Sequence, residues 1–389
     1  MLHTIKRFSL TLLVAILALT AMAQKDTIRV LSIGNSYARD AFGYVPMLVE
    51  ELSPTTYVEF GILYIGGCTL QTHWANASAA TELTGYEYDF YTTGQQKWVT
   101  MRNYSLQRGV RHNKWDLVIM QQQSYASMDY KTHVPYLFNL VDYLRSALPG
   151  VRFAWHFTPS YPDGSQHLTG NITSELMWRR TSIAAQQVML HDDFRFVIPT
   201  GTGIQNARGT MLDRYGKFGH MSYEGLHTED GIPCLVEGYV AAQSLLNFYG
   251  READFNNSQL RVTQEWAVAK AVPQRHGVVP ADITETDYLL AKACAGAALK
   301  SPYQLTPISV DNLPEVQPIT STSTTSNKTT APQSSTKTTT TAKAKATAST
   351  ALKSTSATSK VTASTTKKVN RQTTKRNTQT PRRNTTPRR

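Results

Sequence analysis

Five short apolar runs, separated by longer helix-like stretches, constrain the fold of this chain more than any other feature. "TIRVLSI" (27–33), "YVEFGILYI" (57–65), "DLVIM" (116–120), "RFAW" (152–155) and "FVI" (196–198) are β-branched, aromatic or aliphatic with few polar interruptions. Strands that read as near-continuous apolar runs are buried on both faces, which points to a parallel sheet covered on each side by helices. Residues 44–52, 134–148, 172–190 and 235–249 have the helical spacing that would supply those layers. The expected fold is a three-layer α/β/α sandwich with a parallel sheet, flavodoxin-like in type. Sites in such sheets form beyond the carboxyl ends of the strands. Three runs end there in unusual residues: Gly34-Asn35-Ser36, Gly66-Gly67, and Gln121-Gln122-Gln123-Ser124. Residues 86–101, "YEYDFYTTGQQKWVTM", read as an added hairpin that helps to wall such a site.

The two ends lie outside this pattern. Lys6 and Arg7 precede the apolar run "FSLTLLVAILALTAMA", which closes on Ala21-Met22-Ala23. That order predicts a signal peptide over residues 1–23, cut before Gln24, and export to the periplasm, cell surface or medium. Residues 316–389 carry 15 Lys and Arg and no Asp or Glu, among Thr and Ser. Such a tail cannot bury enough apolar surface to offset its ordering entropy, and disorder is expected. The formal charge of +12 belongs to it, because residues 24–315 hold 23 basic against 28 acidic residues. The spaced cations suit an anionic envelope polymer and equally a solvated linker; without aromatic side chains they do not suggest a dedicated nucleic-acid surface. The cysteines, Cys68, Cys234 and Cys294, are odd in number and show no disulfide or metal spacing. Residues 24–315 are therefore read as one domain with its own core, without an implied metal or organic cofactor.

A serine just past a strand is either a helix cap or a nucleophile, and a nucleophilic serine needs a base, an acid to orient it and donors for the oxyanion. Ser36 has its own backbone N–H as one donor. The base candidate is His227 in "SYEGLHTEDG", with Glu224 three residues before it to hold the imidazole; a surface ion pair is the alternative. Further donors are the Gly67 N–H and a side-chain amide from Gln121 or Gln122. Those glutamines could instead bond neighbouring loops, since burying an unpaired amide is costly. The segment 198–210, "IPTGTGIQNARGT", reads as a loop over the same rim. Its Asn206 and Arg208 side chains could contact a sugar or an anionic group, or simply hold the loop.

The order strand-Ser, strand-Gly, strand-amide and a late acid-x-x-His resembles the SGNH (GDSL-type) hydrolase superfamily. "IGNSY", "YIGGCTL", "WDLVIMQQQS", "AWHFTPSY" and "IPTGTGIQNAR" are most similar to an uncharacterised bacterial branch of it, a domain-of-unknown-function family, over about residues 28–250. The chain departs from the superfamily blocks in three places. Asn35 stands for the aspartate of G-D-S, glutamine for the block-three asparagine, and Glu224 for the aspartate before the histidine. The last change adds one methylene, so Glu224 reaches His227 only if the turn adjusts. The resemblance implies a secreted serine esterase acting on acyl, particularly acetyl, esters of carbohydrates. The rival reading is a catalytically silent glycan-binding or envelope-associated protein on the same fold.

Overall fold

The computed structural model describes residues 27–273 and 276–313; the expected signal peptide and basic tail lie outside them. β1 (Thr27–Gly34), β2 (Tyr57–Tyr64), β5 (Leu117–Met120), β6 (Arg152–His156) and β7 (Phe194–Ile198) run parallel. The expected hairpin is present as β3 (Tyr86–Thr92) and β4 (Trp98–Tyr104), antiparallel to each other, with β3 pairing antiparallel to β2. The sheet order is β4-β3-β2-β1-β5-β6-β7. The chain leaves β1 first to one side and later returns to the other, so the switch point of the topology lies between β1 and β5. Ile33 pairs with Leu63 of β2 and with Met120 of β5. The register thus brings the ends carrying Ser36, Gly67 and the glutamines to one rim.

Alternation along the strands builds two cores. Ile28 and Val30 of β1 face one layer and Leu31 and Ile33 the other; Leu117 and Ile119 of β5 separate from Val118 and Met120 in the same way. On the first face pack α1 (Ser36–Phe42), α2 (Val45–Leu52), α7 (Thr200–Arg208), α8 (Ile232–Phe248) and α10 (Glu285–Lys300). On the second pack α3 (Leu70–Ala77), α4 (Leu106–Arg111), α5 (Tyr136–Ala147) and α6 (Ser174–Met189). α8 is the spine of its layer: Ile232 to Leu246 are all buried, and it touches α1, α2, α7 and α10. Each fully buried leucine or valine on it contributes roughly 1.5–3 kcal/mol of hydrophobic stabilisation. A short helix, α9 (Gln264–Ala269), precedes α10, whose start carries a capping box between Thr284 and Asp287. Among the described residues, no helix is long and apolar enough to cross a membrane.

One expectation about the rim is overturned. Residues 200–208 are helix α7 rather than a loop. The glycines that suggested a loop are there for close packing: a Cβ on Gly201 would lie 2.4 Å from the Thr158 carbonyl oxygen, and one on Gly203 3.2 Å from Val240 Cγ2. Beyond Thr200, α7 carries its polar side chains away from the rim.

Candidate active site

β1 ends at Gly34, and Asn35, not Ser36, is the N-cap of α1. Its Oδ1 accepts the Tyr37 N–H (3.1 Å) and the Gln121 amide NH₂ (2.7 Å), while its Nδ2 donates to the Cys68 carbonyl (3.2 Å). Because a backbone N–H can only donate, the first contact fixes which way the Asn35 amide faces. Ser36 is then the first helical residue, and its hydroxyl is not needed as a cap.

Gln121 continues this line sideways. Its Oε1 meets His156 Nδ1 at 2.9 Å, and His156 Nε2 meets the Thr200 hydroxyl at 2.8 Å. Burial pushes the His156 pKa down to about 3, so the ring is neutral. Because Gln121 Oε1 can only accept, His156 Nδ1–H donates to it, and Nε2 is left to accept the Thr200 O–H, a hydroxyl that also lies 3.3 Å from the Phe157 carbonyl. A hydrogen-bonded rail therefore crosses the carboxyl ends of β1, β5, β6 and β7 beneath Ser36. Gly34 has no room for a side chain, since a Cβ would lie 2.8 Å from Gln121 Oε1.

This geometry corrects the oxyanion expectation. Both ends of the Gln121 amide are used in the rail. Gln122 Oε1 accepts from Leu70 N (3.0 Å) and Gln123 N (2.8 Å), and its Nε2 donates to the Thr132 carbonyl (2.9 Å). Neither side chain lines the cavity over the rim, a space of about 870 Å³ bordered by Ser36, Gly67, Gln123, His227 and His276. The physical reason is the strand itself. Successive residues alternate between layers, so Gln121 and Gln122 are spent in opposite layers, and Gln123, where the chain has left the strand, reaches the rim. Its Oε1 accepts from Ala126 N (2.9 Å). Gly67 takes φ +62° in the turn after β2, a conformation that favours glycine.

His227 and Glu224 lie in a closed turn. Ser222 Oγ accepts from Gly225 N (3.0 Å) and donates to the His227 carbonyl (2.9 Å), which also accepts from Tyr223 N (3.0 Å). With Gly225 at φ +81°, the chain doubles back and Glu224 Oε1 meets His227 Nδ1. The added methylene of Glu224 is absorbed by that turn. Tyr37, next to Ser36, donates its hydroxyl to the carbonyl of Leu226, next to His227, at 2.7 Å. One hydrogen bond between neighbours thus clasps the serine and histidine segments to the same cavity.

The family model described as "Domain of unknown function (DUF4886)" matches residues 29–233, more than half of the chain. The chain belongs to the DUF4886 family. A crystal structure of a DUF4886 family protein from Bacteroides uniformis is similar at 23% identity and TM-score 0.60, over 73% of this chain and 98% of that one. A protein from Slackia heliotrinireducens proposed to be an SGNH hydrolase is similar at 19% identity and TM-score 0.39, over 57% of this chain and 100% of that one. An acetylxylan esterase from Geobacillus stearothermophilus, solved as a catalytic mutant, is similar at 13% identity and TM-score 0.35, over 58% and 95%. No curated protein matches the sequence. In the order of its motif blocks this DUF4886 domain resembles the SGNH hydrolases.

Within the DUF4886 domain, Asn206 and Arg208 are not at the cavity. Asn206 is buried and accepts the Thr306 N–H at 2.9 Å, holding the segment after α10. Arg208 donates to the His220 carbonyl, to Ser160 and Ser174 hydroxyls and to Gln205, each at 3.0 Å. Burial pushes its pKa down to about 10. Both are structural because α7 directs them into the layer and its flank. The cavity wall comes instead from the hairpin. Buried Arg39 bonds Asp89 (2.6 Å) and Glu87 (2.8 Å) while lying 3.7 Å from the Tyr64 ring centre, and exposed Arg102 stands 3.4 Å from Glu87. Trp155 belongs to the core, while Tyr161, which stacks on Tyr125, lines the cavity.

The sequence reading missed Gln123, Tyr37, Arg39, Arg102 and His276. Alternation past the end of β5 could have found Gln123. His276 gave no signal, since it follows the DUF4886 match and stands alone in "PQRHGVVP". Donor atoms of Glu224, His227 and His276 lie within 4.8 Å of one another. The two imidazoles, however, stack face to face, with centroids 4.1 Å apart and planes 7° from parallel. Their in-plane lone pairs run side by side instead of converging on one ion, so the arrangement suits a base better than a metal centre.

Proposed function

We propose that this chain is an exported serine ester hydrolase that removes acyl groups, acetyl above all, from carbohydrates. The observation that carries the reading is the shared cavity of Ser36 and His227, with His227 Nδ1 held by Glu224 and both segments clasped through Tyr37 and Leu226. Ser36 Oγ attacks the ester carbonyl carbon as His227 Nε2 takes its proton. The N–H groups of Ser36 and Gly67 and the Gln123 amide hold the oxyanion. The C–O bond to the alcohol breaks as Nε2 returns the proton to it, and water releases the acyl group from Ser36 by the same path. Glu224 keeps Nδ1–H oriented and balances the imidazolium. A wide cavity with Arg39, Glu87 and Arg102 on its wall suits a hydroxylated acceptor better than a lipid chain. The basic tail would hold the secreted enzyme to an anionic envelope polymer.

The test is hydrolysis of p-nitrophenyl acetate by residues 24–389 and its Ser36→Ala and His227→Ala variants, with fluorophosphonate labelling of all three. Turnover and labelling lost with Ser36→Ala support the reading. A folded wild type that neither turns over nor labels overturns it in favour of a silent binding protein.

A further inference from the structure

We propose that His276 is a positioning residue, a neutral aromatic platform whose face stabilises the His227 ring when it becomes an imidazolium. The inference rests on reading His227 as the base, but it concerns a residue beyond the DUF4886 match. The two rings lie at contact distance and nearly parallel, 4.1 Å and 7° apart. A cation that develops on one ring is attracted by the π face of the other, provided that the second ring stays uncharged.

The loop carrying His276 is built to hold that position. Its carbonyl accepts the Asp230 N–H at 3.0 Å, and Gly277 sits at φ +89°, where a Cβ would lie 2.5 Å from Glu229 Oε1. His276 Nε2 is 3.6 Å from Asp40 Oδ1. Asp40 lies one turn beyond Ser36 on α1, so the platform is keyed to the helix that presents the nucleophile.

The surroundings favour a neutral His276. Burial, and then the neighbouring His227, push its pKa down to about 3. The titratable groups around the pair are Tyr37 and Asp40 from α1, Tyr223 and Glu224 from the turn, Glu229 and Asp230 after it, and Glu237 from α8. Burial pushes Asp40 well up and Glu237 up to about 7, so these two carboxyls keep protons where a free carboxylate would have lost them. Glu224 is the carboxylate bonded to the edge of the His227 ring, at Nδ1. Among the described residues, His276 presents the ring stacked on the imidazole that must become positive, with Tyr37 only tilted against it at 6.1 Å.

The experiment follows the His227 Cε1–H resonance against pH in histidine-labelled protein of residues 24–389, comparing wild type, His276→Leu and His276→Phe. Removing the π face should lower the His227 pKa by about half a unit to one unit, and the Phe variant should keep it at or above the wild-type value. On p-nitrophenyl acetate, His276→Leu should lower kcat about 3- to 10-fold with KM nearly unchanged, and His276→Phe should restore it. His276→Gln, which keeps polarity but loses the ring, gives the same comparison if the Leu variant does not fold. An unchanged His227 titration in an active ring-deleted variant overturns the platform and leaves the hydrolase standing. A shifted titration in a protein that hydrolyses nothing overturns the hydrolase and leaves the platform.

Discussion

Replacing Gln121 with leucine separates a scaffold glutamine from a catalytic one. Leucine keeps most of the volume but removes an amide that donates to Asn35 Oδ1 at 2.7 Å and accepts from His156 Nδ1 at 2.9 Å. Asn35 keeps the Tyr37 N–H, so its loss is one net hydrogen bond, about 0.5–1.5 kcal/mol. His156 fares worse. It is fully buried, and its Nδ1–H is left without an acceptor, which costs about 1–3 kcal/mol. The sum is about 2–4 kcal/mol of stability, read as a lower urea midpoint at unchanged slope in a tryptophan-fluorescence melt. Gln123→Leu is the counterpart: a midpoint within about 1 kcal/mol of wild type, with p-nitrophenyl acetate turnover reduced about 10²-fold if its amide serves the oxyanion. A Gln121→Leu protein as stable as wild type but slow would refute this division and return the oxyanion role to Gln121.

Three further outcomes follow from the same structure. Glu237 is fully buried with its pKa raised from 4.5 to about 7, so the native state binds more protons than the unfolded state between those values. Stability should fall by about 3 kcal/mol as pH rises through that window, and Glu237→Gln should flatten that part of the slope in urea melts at pH 5 and pH 8. Gly201→Ala, with its Cβ 2.4 Å from a carbonyl oxygen, should cost far more stability than Gly67→Ala, whose Cβ meets nothing within 4 Å and pays about 1–2 kcal/mol for the left-handed backbone alone. Tyr37→Phe removes the 2.7 Å bond to Leu226 and should lower kcat about 10-fold while moving the thermal midpoint by only a few degrees; equal rates would mean that the clasp does not position His227.

Much of the layer architecture was legible because each parallel strand advertises itself as an apolar run, and the register then carries the strand ends to one rim. Ser36 at the end of a strand and the Glu224-x-x-His227 spacing were legible for a related reason: both are local patterns. What was not legible depends on where a side chain goes once the backbone is placed. Gln121 and Gln123 are the same residue two positions apart, yet one is fastened under the site and the other borders it. Gly201 and Gly203 looked like loop punctuation and are packing contacts. The helix α10, rich in alanine, has no strong periodic face because its buried side includes Asp287 and Lys292. Arg39 and Arg102 share Glu87 only because an antiparallel hairpin is added to the edge of the sheet, which neither residue signals alone.

The residues that hold the site are neighbours of the ones that would do the chemistry. Asn35 bonds Cys68 and so ties the elbow before Ser36 to the turn that contains Gly67. Tyr37 bonds Leu226 and ties the residue after Ser36 to the one before His227. Asp40, one turn further along α1, approaches His276, which stacks on His227 from the other side. Asn35, Tyr37 and Asp40, at the cap and along one short helix, therefore index three separate segments of the chain to the same serine. A nucleophile must be held to within a fraction of an ångström of its base, and a seven-residue helix cannot do this through its own hydrogen bonds. Each added tie removes one rotation of α1 against the rim. The Asn35 side chain needs both its donor and its acceptor to do so, which gives a physical reason for an amide here in place of the superfamily's aspartate: a carboxylate could still cap Tyr37 but could not donate to Cys68.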